Sequence, residues 1–227
     1  MAAIARDKAE SSYHRLKELV INYRFRPGEP LSPVSIADRL YVSATPVREA
    51  LARLHGEDLV DLVPNRGFFA KTLNSKCMSD YYKFALQISI SAIERGYTRF
   101  VIDQVSHSEI TNAYIYGNHG KKRDEYLISH AKALERLYVQ VVSLAGNQVM
   151  LDCIRKFNDQ THFVRLIDLE VESNFHEIAA DMSALISALA RQDVAAATAN
   201  LQHQRDKKLA RMNDLVKEGI SRSLKES

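Results

Sequence analysis

Residues Val42-Ser43-Ala44-Thr45-Pro46-Val47-Arg48-Glu49-Ala50-Leu51 decide how the first third of the chain folds. Pro46 follows a run of small hydroxyl-bearing residues, where its fixed φ and missing N–H suit the first turn of a helix beginning near Thr45. Beyond it, Val47, Ala50, Leu51 and Leu54 recur at helical spacing and mark the inward face. Thr45, Arg48, Ala52 and His55 then share the outward face, and Glu49 and Arg53, four apart, are placed to pair along the flank.

Reading outward from this helix, Tyr41-Val42-Ser43-Ala44 is a short turn. It is preceded by a brief helix from Pro33 to Leu40 with Ile36 and Leu40 on one face. Further back, Arg26-Pro-Gly-Glu-Pro30 halts a first helix spanning Ile4 to Asn22, whose apolar stripe is Leu16, Leu19 and Val20. On the other side, Leu59-Val-Asp-Leu-Val63 and Phe68-Phe-Ala-Lys71 flank a Pro64-Asn65-Arg66-Gly67 corner and read as a hairpin. Helix, helix, tight turn, helix and hairpin is the order of a winged helix-turn-helix, which sets its last helix in a DNA major groove.

The motifs Arg26-Pro-Gly-Glu-Pro-Leu31, Ile36-Ala-Asp-Arg-Leu40, Val42 to Leu51 and Val63-Pro-Asn-Arg-Gly67 closely resemble the GntR family of bacterial transcription regulators. The resemblance covers about residues 8 to 71 and implies a sequence-specific DNA-binding regulator, more often a repressor in this family. Arg48 is then the expected base reader, since a guanidinium can pair bidentately with a guanine edge. Ser43 and Thr45 stand where the recognition helix meets phosphate. Asn65, Arg66 and Gly67 form the wing corner that approaches the duplex. Three departures stand out. Ala44 replaces the arginine that usually opens the recognition helix, Tyr41 replaces a turn glycine, and Gly56-Glu-Asp58 shifts the glycine that usually ends the helix.

After Pro64 the chain has no proline, and helical periods fill the remainder. Six helices are expected, over about 78–97, 98–118, 121–144, 148–168, 174–191 and 193–218. The fold class is thus mainly α: a winged helix-turn-helix over residues 1–73, then an all-helical ligand-sensing and dimerisation bundle over 74–227. Leu144-Ala-Gly-Asn147 and the Ala184 to Ala197 stretch liken this bundle to the FadR-like (FCD) subgroup. Many members hold a metal there through one aspartate and three histidines. Those positions fall on Leu134, Tyr138, Met182 and Gln204, beside His203, so no metal or other cofactor is expected. An arginine that pairs with acidic effectors in relatives falls on Ala85. Tyr138, Met182, His203 and Gln204 are the candidate effector-pocket residues. The scattered histidines His107, His119, His130, His162 and His176 read as surface or packing residues. Tyr81, Tyr82, Phe84, Tyr114, Tyr116 and Tyr126 read as helical core before pocket wall.

Composition limits the alternatives. The 227 residues carry 31 Lys+Arg against 28 Asp+Glu, a net +3, and the two parts split at Leu73 are nearly balanced, with 11 Lys+Arg against 9 Asp+Glu in the first. A cationic coat is excluded, and DNA contact must rest on a few placed residues. Cys77 and Cys153 form no CxxC pair, which fits a reducing, cytoplasmic setting. No apolar run is long enough to cross a bilayer, and no GxSxG, P-loop, GxGxxG or HExxH motif points to catalysis. The resemblance further implies a homodimer on a palindromic operator, controlled by a small-molecule effector of the carboxylate class. The reading from a different class is a helical sensor or interaction protein whose winged helix has lost strong DNA binding through Ala44.

Overall fold

The computed structural model describes residues 2–101 and 120–225. It divides into two compact units, Met1–Asn74 with Lys217–Ser227, and Ser75–Val216.

The first unit contains α1 (Ala2–Ile21), α2 (Pro33–Leu40), α3 (Ala44–Gly56), β1 (Val60–Val63) and β2 (Gly67–Ala70). The expected spacing is realised: Leu16 from α1, Ile36 and Leu40 from α2, and Val47, Ala50, Leu51 and Leu54 from α3 are buried together. Chain reversals here are made by side-chain-bearing residues in the left-handed region. Tyr23 (φ 51°) ends α1, and the Arg24 N–H donates back to the Leu19 carbonyl. This stops the helix before the Arg26-Pro27 pair expected to do so. Tyr41 (φ 56°) ends α2 in the same way, and its side chain is 93% exposed. The bulky residue at the glycine position is therefore accommodated by pointing into solvent. Asp58 (φ 61°) takes the third such position, and Lys71 from the end of the hairpin donates to its carboxylate.

β1 and β2 pair antiparallel, with Val63 opposite Gly67 and Val60 opposite Ala70. Gly28 and Leu31 N–H groups donate to the Ala70 and Phe68 carbonyls, so the Arg26–Leu31 segment runs along β2 as well as turning the chain. One expected pair does not form. Arg53 bonds to Glu10 of α1 at 3.0 Å and lies 3.5 Å over the Tyr13 ring, not on Glu49. A guanidinium stacked on an aromatic face and paired with a carboxylate gains more than an exposed i,i+4 pair. Tyr13 and Lys17 in turn donate to Glu57 at 2.7 and 2.9 Å. Burial pushes the Glu57 carboxyl up, but these donors outweigh it and hold it below its ordinary value.

The second unit holds α4 (Ser75–Gly96), a short 3₁₀ turn (Tyr97–Arg99), α5 (Gly120–Ser143), α6 (Gln148–Glu170), α7 (Glu172–Ala190) and most of α8 (Val194–Lys225). The helix expected over 98–118, with His107, Tyr114 and Tyr116, lies outside the described residues apart from its first four, and so does His119. Gly96 ends α4 against the Leu144 carbonyl, where a Cβ would sit at 2.1 Å. Asn147 caps α6 by accepting the Met150 N–H at 3.2 Å, and Asp193 caps α8 by accepting from Ala196 at 2.9 Å. Leu134, Leu137, Val141, Leu169, Leu185, Leu189 and Leu201 form the centre of the core.

α8 has 32 residues, whereas α5, α6 and α7 have 24, 23 and 19. Its residues from Lys217 on are assigned to the first compact unit.

Candidate functional site

The outward face of α3 is built as its periodicity requires. Thr45, Arg48, Ala52 and His55 are exposed, while Val47, Ala50, Leu51 and Leu54 are buried. Ser43 is the N-cap residue but makes no side-chain cap bond, which leaves its hydroxyl and the first-turn N–H groups open to an incoming acceptor. Arg48 makes no ion pair among the described residues, in contrast to Arg53 one and a half turns later. His55 is less available, because its Nδ1 lies 3.2 Å from the Val60 carbonyl oxygen. At the hairpin corner, Asn65 (φ 60°) and Gly67 (φ 89°) are both left-handed. Arg66 is exposed, with its guanidinium 5.1 Å over the Phe69 ring. Stacking on β2 therefore sets the direction of this cation.

A second site lies inside the helical unit, in a cavity of about 50 Å³. α4 contributes Tyr82, Ala85, Leu86 and Ser89, spaced along one face. α5 contributes Leu134 and Tyr138, α7 contributes Met182, and α8 contributes Gln204. Three of the four expected pocket residues, Tyr138, Met182 and Gln204, thus meet at one cavity, together with Ala85. His203 does not: it is exposed, because the helical period that turns Gln204 inward turns its neighbour out. The four positions that align with metal ligands offer an alkyl group, a phenol, a thioether and an amide. That donor set does not suit a divalent cation, which calls for imidazole, carboxylate or thiolate. Among the described residues, no group of three or more His, Cys, Asp or Glu gathers in metal-binding geometry.

What the cavity does have is buried charge. Arg165 of α6 is buried and donates to Glu135 at 2.5 Å and to Thr161 at 2.9 Å. His162 Nδ1 lies 2.7 Å from the same Glu135 oxygen. Burial pushes the Glu135 carboxyl up, but the Arg165 charge and the His162 contact outweigh it, so it is held below the usual carboxylate value. Burial also drives the Tyr138 phenol well above its ordinary value, so it stays protonated. One turn from Arg165, Asp168 is 0% exposed. It accepts from Lys208, from Arg211 at 3.2 Å and from Asn174 at 2.8 Å. Lys207 bridges Glu177 and Asp181 at 2.8 and 3.1 Å. The wall thus carries Arg165, Arg205, Lys207, Lys208 and Arg211 with Asp181, and carboxylates beyond the wall, Glu135, Asp168, Glu177 and Asp206, leave each of these cations paired.

Sequence reading missed Arg165, Asp168 and Lys208. Their signal was present: Arg165 and Asp168 continue the Ile154, Phe157, Thr161 stripe, and Lys208 interrupts the Leu201, Met212, Leu215 stripe. A charge on an apolar stripe is buried and must find a partner.

Among the described residues of the aromatic group assigned to the core, Tyr82 lines the cavity and Phe84 is exposed. His130 is packed 4.6 Å from the Phe175 ring, in keeping with a packing histidine.

A family model described as bacterial regulatory proteins, gntR family, matches residues 8–70, and the FCD-domain model matches residues 92–206. The chain belongs to the GntR family. Like the other members of this GntR/FCD group, it is a transcriptional regulator with a DNA-binding domain and not an enzyme. The Nta operon transcriptional regulator of Aminobacter aminovorans is 28% identical over 90% of this chain and 96% of that protein. The HTH-type transcriptional regulator YdhC of Bacillus subtilis is 25% identical over 69% of each. Among solved structures, a putative GntR regulator from Rhodococcus sp. RHA1 superposes with a TM-score of 0.71 at 19% identity, covering 92% of this chain and 98% of that one. E. coli McbR/YncC superposes with a TM-score of 0.66 at 15% identity, covering 91% and 97%. These two likenesses establish the shared fold of the GntR-family chain. No helix among its described residues is long and apolar enough to cross a membrane.

Proposed function

We propose that this GntR-family regulator is a cytoplasmic repressor. It acts as a homodimer on a palindromic operator and is controlled by a small acid bound in the bundle cavity. The observation that carries the DNA reading is Arg48, exposed on the outward face of α3 near the exposed Ser43 and Thr45 and without an ion pair among the described residues. In this reading Arg48 reads a base edge, Ser43 and Thr45 meet phosphate, and Asn65, Arg66 and Gly67 contact the flanking backbone or minor groove. Two-fold symmetry in the protein is matched by two half-sites in the operator.

Five cations line the cavity wall, each already paired with a carboxylate, and an acidic effector would be held by sharing them. A volume of about 50 Å³, far below the ~300 Å³ or more of pockets for larger organic ligands, limits it to a few heavy atoms unless the helices part. The effector regulates by favouring one arrangement of the dimer over another, which requires only that it bind the two with different affinity.

Fluorescence anisotropy with palindromic DNA from the protein's own promoter region tests this. Specific binding that weakens with salt, and is released or strengthened by a small acid, is expected. Binding without sequence preference at moderate salt overturns it. That outcome favours the sensor reading instead, for which the relevant observation is Ala44: it opens α3 with no donor to offer.

A further inference from the structure

Two hydroxyls on α4 distinguish this cavity. Ser89 is 0% exposed and Tyr82 is 7% exposed, and neither oxygen has a hydrogen-bond partner among the described residues. Both residues line the cavity. For a serine inside a helix the ordinary partner is the carbonyl four residues back. Ser79, Thr161 and Ser187 donate there at 2.7, 2.7 and 2.8 Å; Ser89 does not. Tyr82 is held rigidly, with its ring edge-on to Phe157 at 5.1 Å and the Lys208 ammonium 5.5 Å above it. Leaving a buried hydroxyl without a partner costs stability, and a phenylalanine or alanine would fill either place without that cost. Two such groups on one face of one helix, opposite the cations of α6 and α8, form a polar surface that suits an occupant with hydrogen-bonding groups of its own.

We propose that Tyr82 and Ser89 are specificity-determining residues of the effector site. They recognise a hydroxyl or carbonyl that the effector carries in addition to its acid group, while the cations opposite face the acid. The inference rests on the reading of the cavity as the effector site. It narrows the ligand from small acids in general to those bearing a second hydrogen-bonding group.

The test uses the full chain and matched pairs of acids: glycolate with acetate, lactate with propionate, and malate with succinate. Thermal melts and calorimetric titrations are run at constant pH and ionic strength. In the unmodified protein, at least one hydroxylated member binds about five- to tenfold more tightly than its plain counterpart, as expected for one or two good hydrogen bonds. In Tyr82→Phe and Ser89→Ala that preference shrinks or disappears, while the unliganded variants melt at the same temperature or higher. Equal binding of plain and hydroxylated acids, or a preference untouched by both substitutions, overturns the inference and leaves the cavity reading standing. Lower melting of both unliganded variants also overturns it, because the hydroxyls then serve the fold through bound water. If no member of any pair raises the melting temperature, the cavity reading falls together with it.

Discussion

The two units of this chain bury polar groups in opposite ways. In the winged helix the core is built from Leu16, Phe25, Leu31, Ile36, Leu40, Val47, Leu51 and Leu54, and among its described residues it buries one polar side chain, Ser12, and no charge. Its ion pairs, Arg53 with Glu10 and Lys17 with Glu57, sit at the rim. In the helical unit Arg165, Asp168, Lys208, His162, Asn158 and Gln160 are all buried. A domain that displays one helix to a duplex needs only a rigid scaffold, and apolar packing supplies that at least cost. A domain that takes a polar small molecule into its interior must keep polar groups there, and each needs partners to be tolerated. The contrast separates a presenting unit from a receiving one, and substitutions in either should reveal which role a residue serves.

Asp168→Ala should have the largest effect. It leaves Lys208 and Arg211 without their buried carboxylate, and a loss of about 3–5 kcal/mol in urea denaturation is expected. A loss near zero would mean that the buried charges do not hold the helical unit together, and the contrast would break.

Next comes Glu135→Gln, which removes the charge paired with Arg165 and should cost about 1.5–3 kcal/mol at pH 7. Because the Glu135 carboxyl is held below its unfolded value, its stabilisation is complete above about pH 4.3. It is lost as the pH falls through the lower value of the folded state. Stability-against-pH curves of the variant and the unmodified protein should therefore converge at low pH and separate above it.

Arg48→Ala tests the presenting unit. Operator affinity should weaken by about 1–3 kcal/mol, with relaxed preference at one base position and an unchanged urea midpoint. A shift in stability equal to the loss in binding would make Arg48 structural.

The smallest effect is expected from Tyr41→Gly. Its φ of 56° strains a residue bearing a Cβ, and its exposed ring contributes little packing, so the winged helix should gain about 0.5–1 kcal/mol. A loss would show that the ring has a structural contact after all.

Legibility divided along the same line. α3, its inward and outward faces, the hairpin corner and the short turn at Tyr41 were readable because each depends on signals within a few residues: Pro46 in a first turn, a helical period, Asn65-Arg66-Gly67 between two β-prone runs. In the helical unit, helix positions were readable from the period, and alignment brought Tyr138, Met182 and Gln204 to one cavity. His203 and Gln204 show what a single-residue ambiguity does: the helical rotation of about 100° per residue turns one to solvent and the other to the cavity. The failed Glu49–Arg53 pair has another cause. Local spacing offers a partner, but Tyr13 and Glu10, some forty residues away in sequence, offer a better one.

By itself the sequence determined that this chain has a winged helix-turn-helix with Arg48 facing outward, followed by a long-helix unit. Those properties follow from short-range periodicity, turn chemistry and the identity of single side chains. Only the tertiary structure decided that Arg165, Asp168 and Lys208 are buried ion partners and that Tyr82 and Ser89 bring to the cavity wall hydroxyls with no hydrogen-bond partner among the described residues. Asp168 and Lys208 are forty residues apart, and the burial that makes a charge matter arises only when distant helices exclude water from it together.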